Sequence, residues 1–158
     1  MTDTGGITWA TISGRDGCDD AFPVRCSVFV EEQGIPADEV FDGLDEEAVH
    51  IIGYSDGFAV SCARCVDEGG GRWRIGWVAT RQAVRGAGLG TQAMNIAFEV
   101  VTGLGGREVV LSAQGTATSF YESLGFNQCG VPEELPSGFV LIPMRRVLDG
   151  RGGSTVPR

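Results

Sequence analysis

A short glycine-rich loop, RGAGLG at 85–90, carries the clearest chemical signal in the sequence, because it runs directly into an apolar-periodic segment. The first turn of a helix has backbone N–H groups without intrahelical partners at the positive end of the helix dipole, and such groups bind anions. Glycines let a ligand approach the backbone closely, and the guanidinium of Arg85 can bind a phosphate with two N–H groups. The loop therefore predicts a site for a phosphate- or pyrophosphate-bearing ligand, with an empty strand-to-helix connection as the alternative.

Two common nucleotide-binding motifs do not fit this loop. Its glycines stand at 86, 88 and 90, which is not the G-x-G-x-x-G spacing of dinucleotide-binding folds. A phosphate loop of the Walker type needs a lysine, and all twelve basic residues of the chain are arginine. The lack of lysine also excludes Schiff-base chemistry. An anionic ligand must therefore be held by arginine and backbone amides.

The elements that position this loop can be read from periodicity and turn signals. They predict one domain over 1–148 and a flexible C-terminal tail over 149–158. Their order indicates an α+β fold, an α/β sandwich with a mixed sheet. The predicted elements are a strand over Ile7–Ser13, a short helix between Pro23 and Gly34, two strands around an Asp56-Gly57 hairpin turn, a strand over Arg72–Thr80, a helix from the glycine loop to about 102, the strand REVVLSAQ, the helix TATSFYESLGF and the strand GFVLIPMRRV.

Composition limits the classes of partner. The 158 residues are 42% apolar and 21% charged, with a net charge of −9, which indicates an acidic globular protein and argues against nucleic-acid binding. No apolar run approaches the about 18 residues of a membrane helix, and the N-terminus has neither a basic start nor an apolar signal core. We therefore expect a cytoplasmic protein without a membrane or nucleic-acid partner.

The cysteines and the single histidine do not stand at metal-site spacing. Cys62 and Cys65 form a CxxC, but no second pair accompanies them, and His50 is isolated in sequence. The CxxC lies in FAVSCARCV, which reads as one continuous strand instead of the strand-to-helix turn of a redox motif. We expect packing thiols in a reducing compartment and no metal.

Three motifs carry a resemblance to a known family. The loop at 85–90 resembles the (Q/R)-x-x-G-x-(G/A) loop of the GNAT superfamily of N-acetyltransferases, WVAT at 77–80 resembles that family's fourth strand, and SFYESLGF at 119–126 resembles its FYxxLGF helix. From VRCSVFVEEQGIP through FDGLDEEAVHIIGY to PMRR, the chain is similar to the ElaA-like branch. The resemblance covers roughly 7–146. It implies a mixed, mostly antiparallel sheet flanked by helices, with a splay between the family's strands four and five.

The resemblance also implies acetyl-CoA as the acyl donor. In this fold the pantetheine arm lies between the splayed strands, paired to the backbone of the fourth strand, and the pyrophosphate lies on the amides of the glycine loop. The glycines then let the pyrophosphate reach the helix end. The matching residues are Val78, Ala79 and Thr80 for the arm, and Arg85, Gly86, Ala87, Gly88, Leu89, Gly90 and Thr91 for the pyrophosphate.

Tyr121 is the candidate catalytic acid. It matches the family tyrosine whose hydroxyl faces the sulfur of the cofactor and protonates the departing thiolate. A phenol with a pKa of about 10 and a thiol with a pKa of about 8.5 are close enough for this transfer. The alternative is an aromatic helix residue that packs against Phe120 and Phe126.

The sequence identifies the catalytic base less clearly than the catalytic acid. A primary amine with a pKa of about 10.4 must lose a proton before it attacks the thioester. Many family members use a strand-four Glu for this, but the corresponding stretch of this chain offers Arg74. The candidates are His50, because imidazole has an ordinary pKa of about 6.5, and Glu32, directly or through water. His50 could equally be a hydrogen-bonded strand residue, and Glu32 a solvated helix end.

An acidic segment follows the first predicted helix. If this segment borders the acceptor pocket, it would attract a cationic amine; a solvated loop face is the alternative. Eight of the 21 carboxylates lie in it: Glu31, Glu32, Asp38, Glu39, Asp42, Asp45, Glu46 and Glu47.

These features predict an N-acetyltransferase that moves an acetyl group to a small-molecule or peptide amine by direct attack in a ternary complex, with a homodimer as an option. Two alternatives stay open. VRCSVFVEEQG and FDGLDEE also resemble acyl-homoserine-lactone synthases, in which S-adenosylmethionine is the second substrate and Arg25, Phe29, Asp42 and Asp45 would fall on signature positions. A non-catalytic acyl-CoA-binding sensor is the other.

Overall fold

The structure is a computed structural model that describes residues 3–4 and 6–148. The chain forms two compact units. The first combines the residues up to Val66 with Ile75–Phe98, and the second combines Asp67–Arg74 with the residues from Glu99 onwards. The single domain expected over 1–148 stays a prediction, and the expected tail at 149–158 lies outside the described residues.

Antiparallel strands form the sheet of the first unit. The predicted hairpin between the third and fourth of them is confirmed, with Asp56 and Gly57 at positive φ values of 51° and 83° as a tight hairpin turn requires. One short strand at the N-terminus was not predicted, because two residues are too few to show alternation. The strands are β1 (Asp3–Thr4), β2 (Ile7–Ser13), β3 (Val49–Ser55) and β4 (Phe58–Gly69), paired in the order β1-β2-β3-β4.

The first helix is longer than the sequence predicts. Helix α1 covers Cys18–Arg25 and continues as a π-helix over Cys26–Glu32, so Pro23 lies inside the helix and not at its start. Proline has no N–H to donate, and the helix changes to π geometry shortly after it. The predicted stop is confirmed: Gly34 has a φ of 74°, and its N–H donates to the carbonyl of Val30 at 3.1 Å. A short helix, α2 (Ala37–Val40), follows.

The later elements largely follow the prediction. Two short strands were missed, again because they are only two residues long. The elements are β5 (Arg72–Thr80), α3 (Leu89–Gly103), β6 (Glu108–Gln114), α4 (Thr118–Ser123), β7 (Asn127–Gln128), β8 (Glu133–Glu134) and β9 (Val140–Val147). The first three residues of strand β5 belong to the second unit, and its other residues belong to the first. In the second unit the strand order is β5-β6-β9-β7, and β8 pairs with β9.

One parallel pair interrupts this otherwise antiparallel arrangement. The parallel register of β5 and β6 joins Arg72 to Glu108 and ends at Arg74 and Val110. Both strands continue beyond that point, to Thr80 and Gln114, and β6 stays paired with β9 along its length. Strands β5 and β6 correspond to the family's strands four and five, so the mixed sheet and the expected splay are confirmed. No helix in the described part of the chain is long and apolar enough to cross a membrane.

Candidate active site

The glycine loop lies in the first unit, immediately before helix α3. Gly86 and Gly88 have φ values of 88° and 80°, a backbone conformation that residues with a Cβ adopt at a cost. A Cβ added at either position would meet no atom within 4 Å, so nothing in the protein occupies the space over these residues. Gly90 lies in the first turn of α3, so it does not share the positive φ of Gly86 and Gly88.

A run of free backbone donors marks the loop. Within the described residues no backbone hydrogen bond reaches the N–H groups of residues 86–91, and the first one in α3 is donated by Gln92, to the carbonyl of Gly88 at 3.1 Å. The N–H of Arg85 is already used, since it donates to the carbonyl of Gln82 at 3.3 Å. Six consecutive amides thus stand without a backbone partner at the positive end of a 15-residue helix, and anion binding at this loop stays a prediction.

The side chain of Arg85 joins three parts of the first unit. Its Nε donates to the carbonyl of Thr80 at 2.8 Å, and one terminal nitrogen, Nη2, forms an ion pair with Oε1 of Glu32 at 2.6 Å. The pair brings together two residues that the sequence nominated for different roles. Both side chains are partly open to solvent, so the ion pair alone contributes little to folding.

The end of β5 is fixed by neighbours in the same unit. The hydroxyl of Ser61 donates to the carbonyl of Ala79 at 3.1 Å and lies 3.0 Å from Oγ1 of Thr80. The N–H of Arg81 donates to the carbonyl of Val60 at 2.8 Å. These bonds tie the segment 78–80, the expected pantetheine strand, to β4.

His50 is fully buried in the first unit. Its Nε2 lies 2.9 Å from the carbonyl oxygen of Asp45 and 3.9 Å from the sulfur of Cys18, and its Nδ1 has no partner among the described residues. Gly17 packs directly on the imidazole, since a Cβ there would come within 2.7 Å of the ring. Burial lowers the pKa of His50, and the nearby carbonyl of Asp45 opposes that effect.

The buried imidazole gives a prediction for the pH dependence of stability. Because the pKa of His50 is lower in the folded chain, the unfolded chain binds this proton at a higher pH. The stabilisation should be complete above the ordinary pKa of about 6.5 and be lost as the pH falls below it, with a slope of up to about 1.4 kcal/mol per pH unit. In His50→Gln, the free energy of unfolding measured in urea between pH 7 and 5 should lose this slope, since His50 is the single histidine. An unchanged slope would contradict the assignment.

Tyr121 belongs to the second unit, on helix α4. Its ring packs edge-on against Phe120 at 4.9 Å and against Phe126 at 5.9 Å between centroids. Burial raises the pKa of Tyr121 to about 12, so the phenol stays protonated at ordinary pH. The helix ends as expected, with Gly125 at a φ of 92° and the N–H of Phe126 donating to the carbonyl of Tyr121 at 3.1 Å.

Comparison with known proteins assigns the chain to a family. The sequence profile described as "Acetyltransferase (GNAT) domain" matches residues 21–148. The chain belongs to the GNAT family of acetyltransferases. This GNAT protein is 32% identical to the N-acetyltransferase YjcF of Bacillus subtilis (strain 168) over 134 residues, which is 80% of this chain and 90% of YjcF.

Solved structures agree with this assignment. The chain is similar to an acyl-CoA N-acyltransferase from Pseudomonas aeruginosa, with 32% identity and a TM-score of 0.80 over 89% of this chain and 99% of that one. It is also similar to Escherichia coli ElaA, with 30% identity and a TM-score of 0.78 over the same shares. The resemblance to the ElaA-like branch is thus confirmed. The GNAT family transfers acyl groups from acetyl-CoA or another acyl-CoA, so an acyl-CoA is the donor of this protein.

Arg74 is the residue that the resemblance places at the position of a strand-four Glu. Its Nε donates to Oε2 of Glu68 at 2.6 Å. The pair closes the hairpin between β4 and β5. Arg74 therefore has a partner of its own and offers no basic group for the reaction.

Part of the acidic segment is used for structure. Asp42 and Asp45 bind Arg64, Asp45 also binds Arg25, and Glu46 pairs with Arg15 at 2.8 Å. With Glu32 on Arg85, four of the eight carboxylates have an arginine partner. The carboxylates that remain exposed without an ion pair in the described structure are Glu31, Asp38, Glu39 and Glu47.

The buried cluster around Arg64 was not predicted as a unit. Arg25 and Arg64 are 1% and 3% exposed, which is possible only because two aspartates neutralise them. The sequence did hold a signal for it, namely an arginine in the middle of the apolar strand FAVSCARCV. Arg25, Asp42 and Asp45 are three of the four residues that also suggested a lactone synthase, Phe29 being the fourth, and their ion pairs give these three a role in folding.

The CxxC behaves as the sequence predicts. Cys62 and Cys65 lie on one continuous strand, β4, and both are buried and free. Burial raises the pKa of the Cys62 thiol to about 11 and that of Cys65 to about 12, so neither is a thiolate at neutral pH. Both are packing thiols, without the activated thiolate that redox chemistry requires.

Proposed function

We propose that this GNAT protein transfers an acetyl group from acetyl-CoA to a primary amine by direct attack within a ternary complex. The observation that carries the proposal is the run of six free N–H groups, at residues 86–91, on the N-terminus of α3. A pyrophosphate is the part of acetyl-CoA that such a site binds. No motif position holds a cysteine, which favours direct attack over an acyl-enzyme.

In this proposal the cofactor uses two parts of the first unit. The pyrophosphate lies on the amides of the loop, with Arg85, Gly86, Ala87, Gly88, Leu89, Gly90 and Thr91 as its binding residues. Arg85 would hold a phosphate oxygen with the nitrogen that its bonds to Thr80 and Glu32 leave available. The pantetheine arm pairs with the backbone of Val78, Ala79 and Thr80, the segment that Ser61 fixes.

Tyr121 and Glu32 take the two proton transfers. The phenol of Tyr121 protonates the departing thiolate, and its raised pKa keeps the proton available at every ordinary pH. Glu32 accepts the proton of the amine through water, because its carboxylate faces solvent whereas His50 is fully buried. We assign His50 the structural role that its bond to the Asp45 carbonyl supports.

The acceptor is a small-molecule or peptide amine. The net charge of −9 and the exposed carboxylates of the acidic segment favour a cationic amine by long-range attraction. The free cysteines suit a reducing compartment, which supports a cytoplasmic enzyme. A homodimer is compatible with this function and is not required by it.

The test begins with thermal unfolding of the purified protein in acetyl-CoA or in S-adenosylmethionine. A ligand at 100 times its Kd stabilises by about 2.7 kcal/mol, which moves Tm by several degrees. We expect a shift with acetyl-CoA alone, followed by acetyl-CoA-dependent thiol release with members of an amine library. A shift with S-adenosylmethionine would instead support the lactone synthase, and acetyl-CoA binding without thiol release for any amine would support the sensor.

The same assay separates the two candidate bases. Glu32→Gln should lower kcat and leave the Kd of acetyl-CoA nearly unchanged, because the base acts on the amine and not on the cofactor. A higher Kd with an unchanged kcat would assign Glu32 to the support of the glycine loop through Arg85. His50→Gln should keep kcat.

A further inference from the structure

Three arginines lie on one face of the sheet in the second unit. Across β5 and β6 Arg74 is paired with Val110, and across β6 and β9 Val110 is paired with Arg145. Arg72 is paired with Glu108, which precedes Val110 by two residues on β6. Paired residues, and residues two apart on one strand, have their side chains on the same face of a sheet. The three arginines and Glu108 therefore share one face, which we call the arginine face.

The arginine face is the open side of these strands. Side chains on the opposite side, those of Trp73, Val109 and Met144, are at most 7% exposed. The side chains of the three arginines are instead between 37% and 49% exposed. A ligand can therefore reach their guanidinium groups from solvent.

Each of the three arginines binds a carboxylate of the protein through Nε alone. Arg72 and Arg145 each donate from Nε to a different oxygen of Glu108. Arg74 donates from Nε to Glu68 at 2.6 Å. Within the described residues, the terminal nitrogens of all three guanidinium groups have no hydrogen-bond partner. Three cations share two carboxylates, so the arginine face keeps an excess of positive charge.

The free edges of the guanidinium groups and an exposed apolar neighbour indicate what the face can bind. The two terminal nitrogens of an arginine bind an oxyanion with parallel N–H groups. Val147 is paired with Glu108 on the same face and is 63% exposed, so it offers a contact to a carbon frame. An inorganic anion has no use for that contact, and a net charge of −9 repels a nucleic acid. These features favour a small organic acid.

We propose that the arginine face binds the carboxylate of a small organic acid through the terminal nitrogens of Arg72, Arg74 and Arg145. The inference goes beyond the proposed function, and its binding test needs no acetyl transfer. The carboxylate belongs either to a separate effector or to an amine acceptor that also carries an acid group. Both ligands present the same chemistry to the arginines, and a kinetic measurement distinguishes them.

The binding test compares Arg145→Gln with Arg15→Gln. Each variant loses one exposed ion pair with a glutamate, so both Tm values should stay close to that of the wild type. The probe is adipate, a linear dicarboxylate, titrated by calorimetry at constant ionic strength, with its uncharged diamide as the control ligand. We expect the Kd of adipate to rise about tenfold in Arg145→Gln alone, as the loss of one charge-assisted contact would give. The diamide should bind to none of the three proteins.

Three results would overturn the inference. The first is equal adipate affinity in the wild type and Arg145→Gln, or no adipate binding by the wild type. The second is inorganic phosphate that binds more tightly than adipate. The third is a loss of adipate binding in Gly88→Glu but not in Arg145→Gln, which would assign the anion to the glycine loop and so support the proposed function.

Acetyl transfer then identifies the source of the carboxylate. If it belongs to the acceptor, Arg145→Gln should raise the KM of β-alanine in the thiol-release assay and leave the KM of propylamine unchanged. If it belongs to an effector, adipate should change the wild-type rate with propylamine and have no effect on Arg145→Gln. Adipate binding that depends on Arg145 supports the arginine face in both cases. It would do so even if no amine released thiol and the proposed function failed.

Discussion

Tyr121→Phe is expected to lower kcat by at least about 10²-fold, the usual contribution of a general acid, while the Kd of acetyl-CoA stays the same. The substitution removes only the hydroxyl. The edge-on packing of the ring against Phe120 and Phe126 can persist, so helix α4 should keep its place. Since burial raises the pKa of Tyr121 to about 12, the wild-type rate should show no loss from ionisation of this phenol below about pH 11.

The chain offers a matched control, since it has only one other tyrosine. The hydroxyl of Tyr54 donates to Asp20 at 2.6 Å, and burial raises its pKa to about 12 as well. Tyr54→Phe should therefore lose stability through a broken hydrogen bond, about 1–3 kcal/mol when the acceptor is charged, and retain kcat. Thiol-release rates and Tm measured for both variants separate chemistry from folding. A full kcat in Tyr121→Phe would leave Tyr121 as a packing residue.

The sequence predicted the parts of the fold that depend on local signals. Asp56-Gly57, Gly34 and the Leu-Gly-Phe stop after Tyr121 each appear where expected, because a positive φ at the end of a helix or in a tight hairpin almost demands glycine or a small polar residue. The glycine loop and the start of α3 follow for the same reason. Such signals act over a few residues and need no knowledge of the tertiary structure.

The parts that were not predicted depend on distant residues. Trp77 has a positive φ of 50°, and its contacts are with Phe29 and Cys62, neither of which is its neighbour in sequence. The early start of α1 and the burial of His50 likewise follow from packing. Local propensity favours a strand through Trp77, and the strand does continue there, with a positive φ that the propensity does not predict. Of these features, Trp77 is the one that lies next in sequence to an expected cofactor segment, Val78 to Thr80.

The buried ion cluster also makes the stability of the fold depend on pH in the acidic range. Burial of Asp42 acts to raise its pKa, but hydrogen bonds from Arg64 and the N–H of Leu44 outweigh it and lower the pKa to about 2. The stabilisation from Asp42 is therefore present above the ordinary carboxyl pKa of about 4 and is lost as the pH falls towards 2. At still lower pH Asp42 is protonated, and the buried Arg64 then loses one of its two carboxylate partners. The buried ion cluster should thus fail in acid and not near neutral pH.

Gly88→Glu is expected to weaken acetyl-CoA binding by about 10²-fold or more, because it removes close access to several charge-assisted hydrogen bonds and adds a negative charge. Gly88 has a φ of 80°, and no protein atom lies within 4 Å of a Cβ built there. A side chain would therefore not clash with the protein. It would occupy the space over the free amides at 86–91, where the pyrophosphate is expected.

Gly105→Glu provides the comparison that makes this result specific. Gly105 has a φ of 87° and also has no atom within 4 Å of an added Cβ, but it lies after the C-terminal end of α3. Each variant should lose about 1–2 kcal/mol from the left-handed backbone, so their Tm values should fall by similar amounts. Calorimetric titration with acetyl-CoA should show the affinity loss in Gly88→Glu alone. Wild-type affinity in Gly88→Glu would mean that the amides at 86–91 do not hold the pyrophosphate, and the cofactor would then have to bind away from the N-terminus of α3.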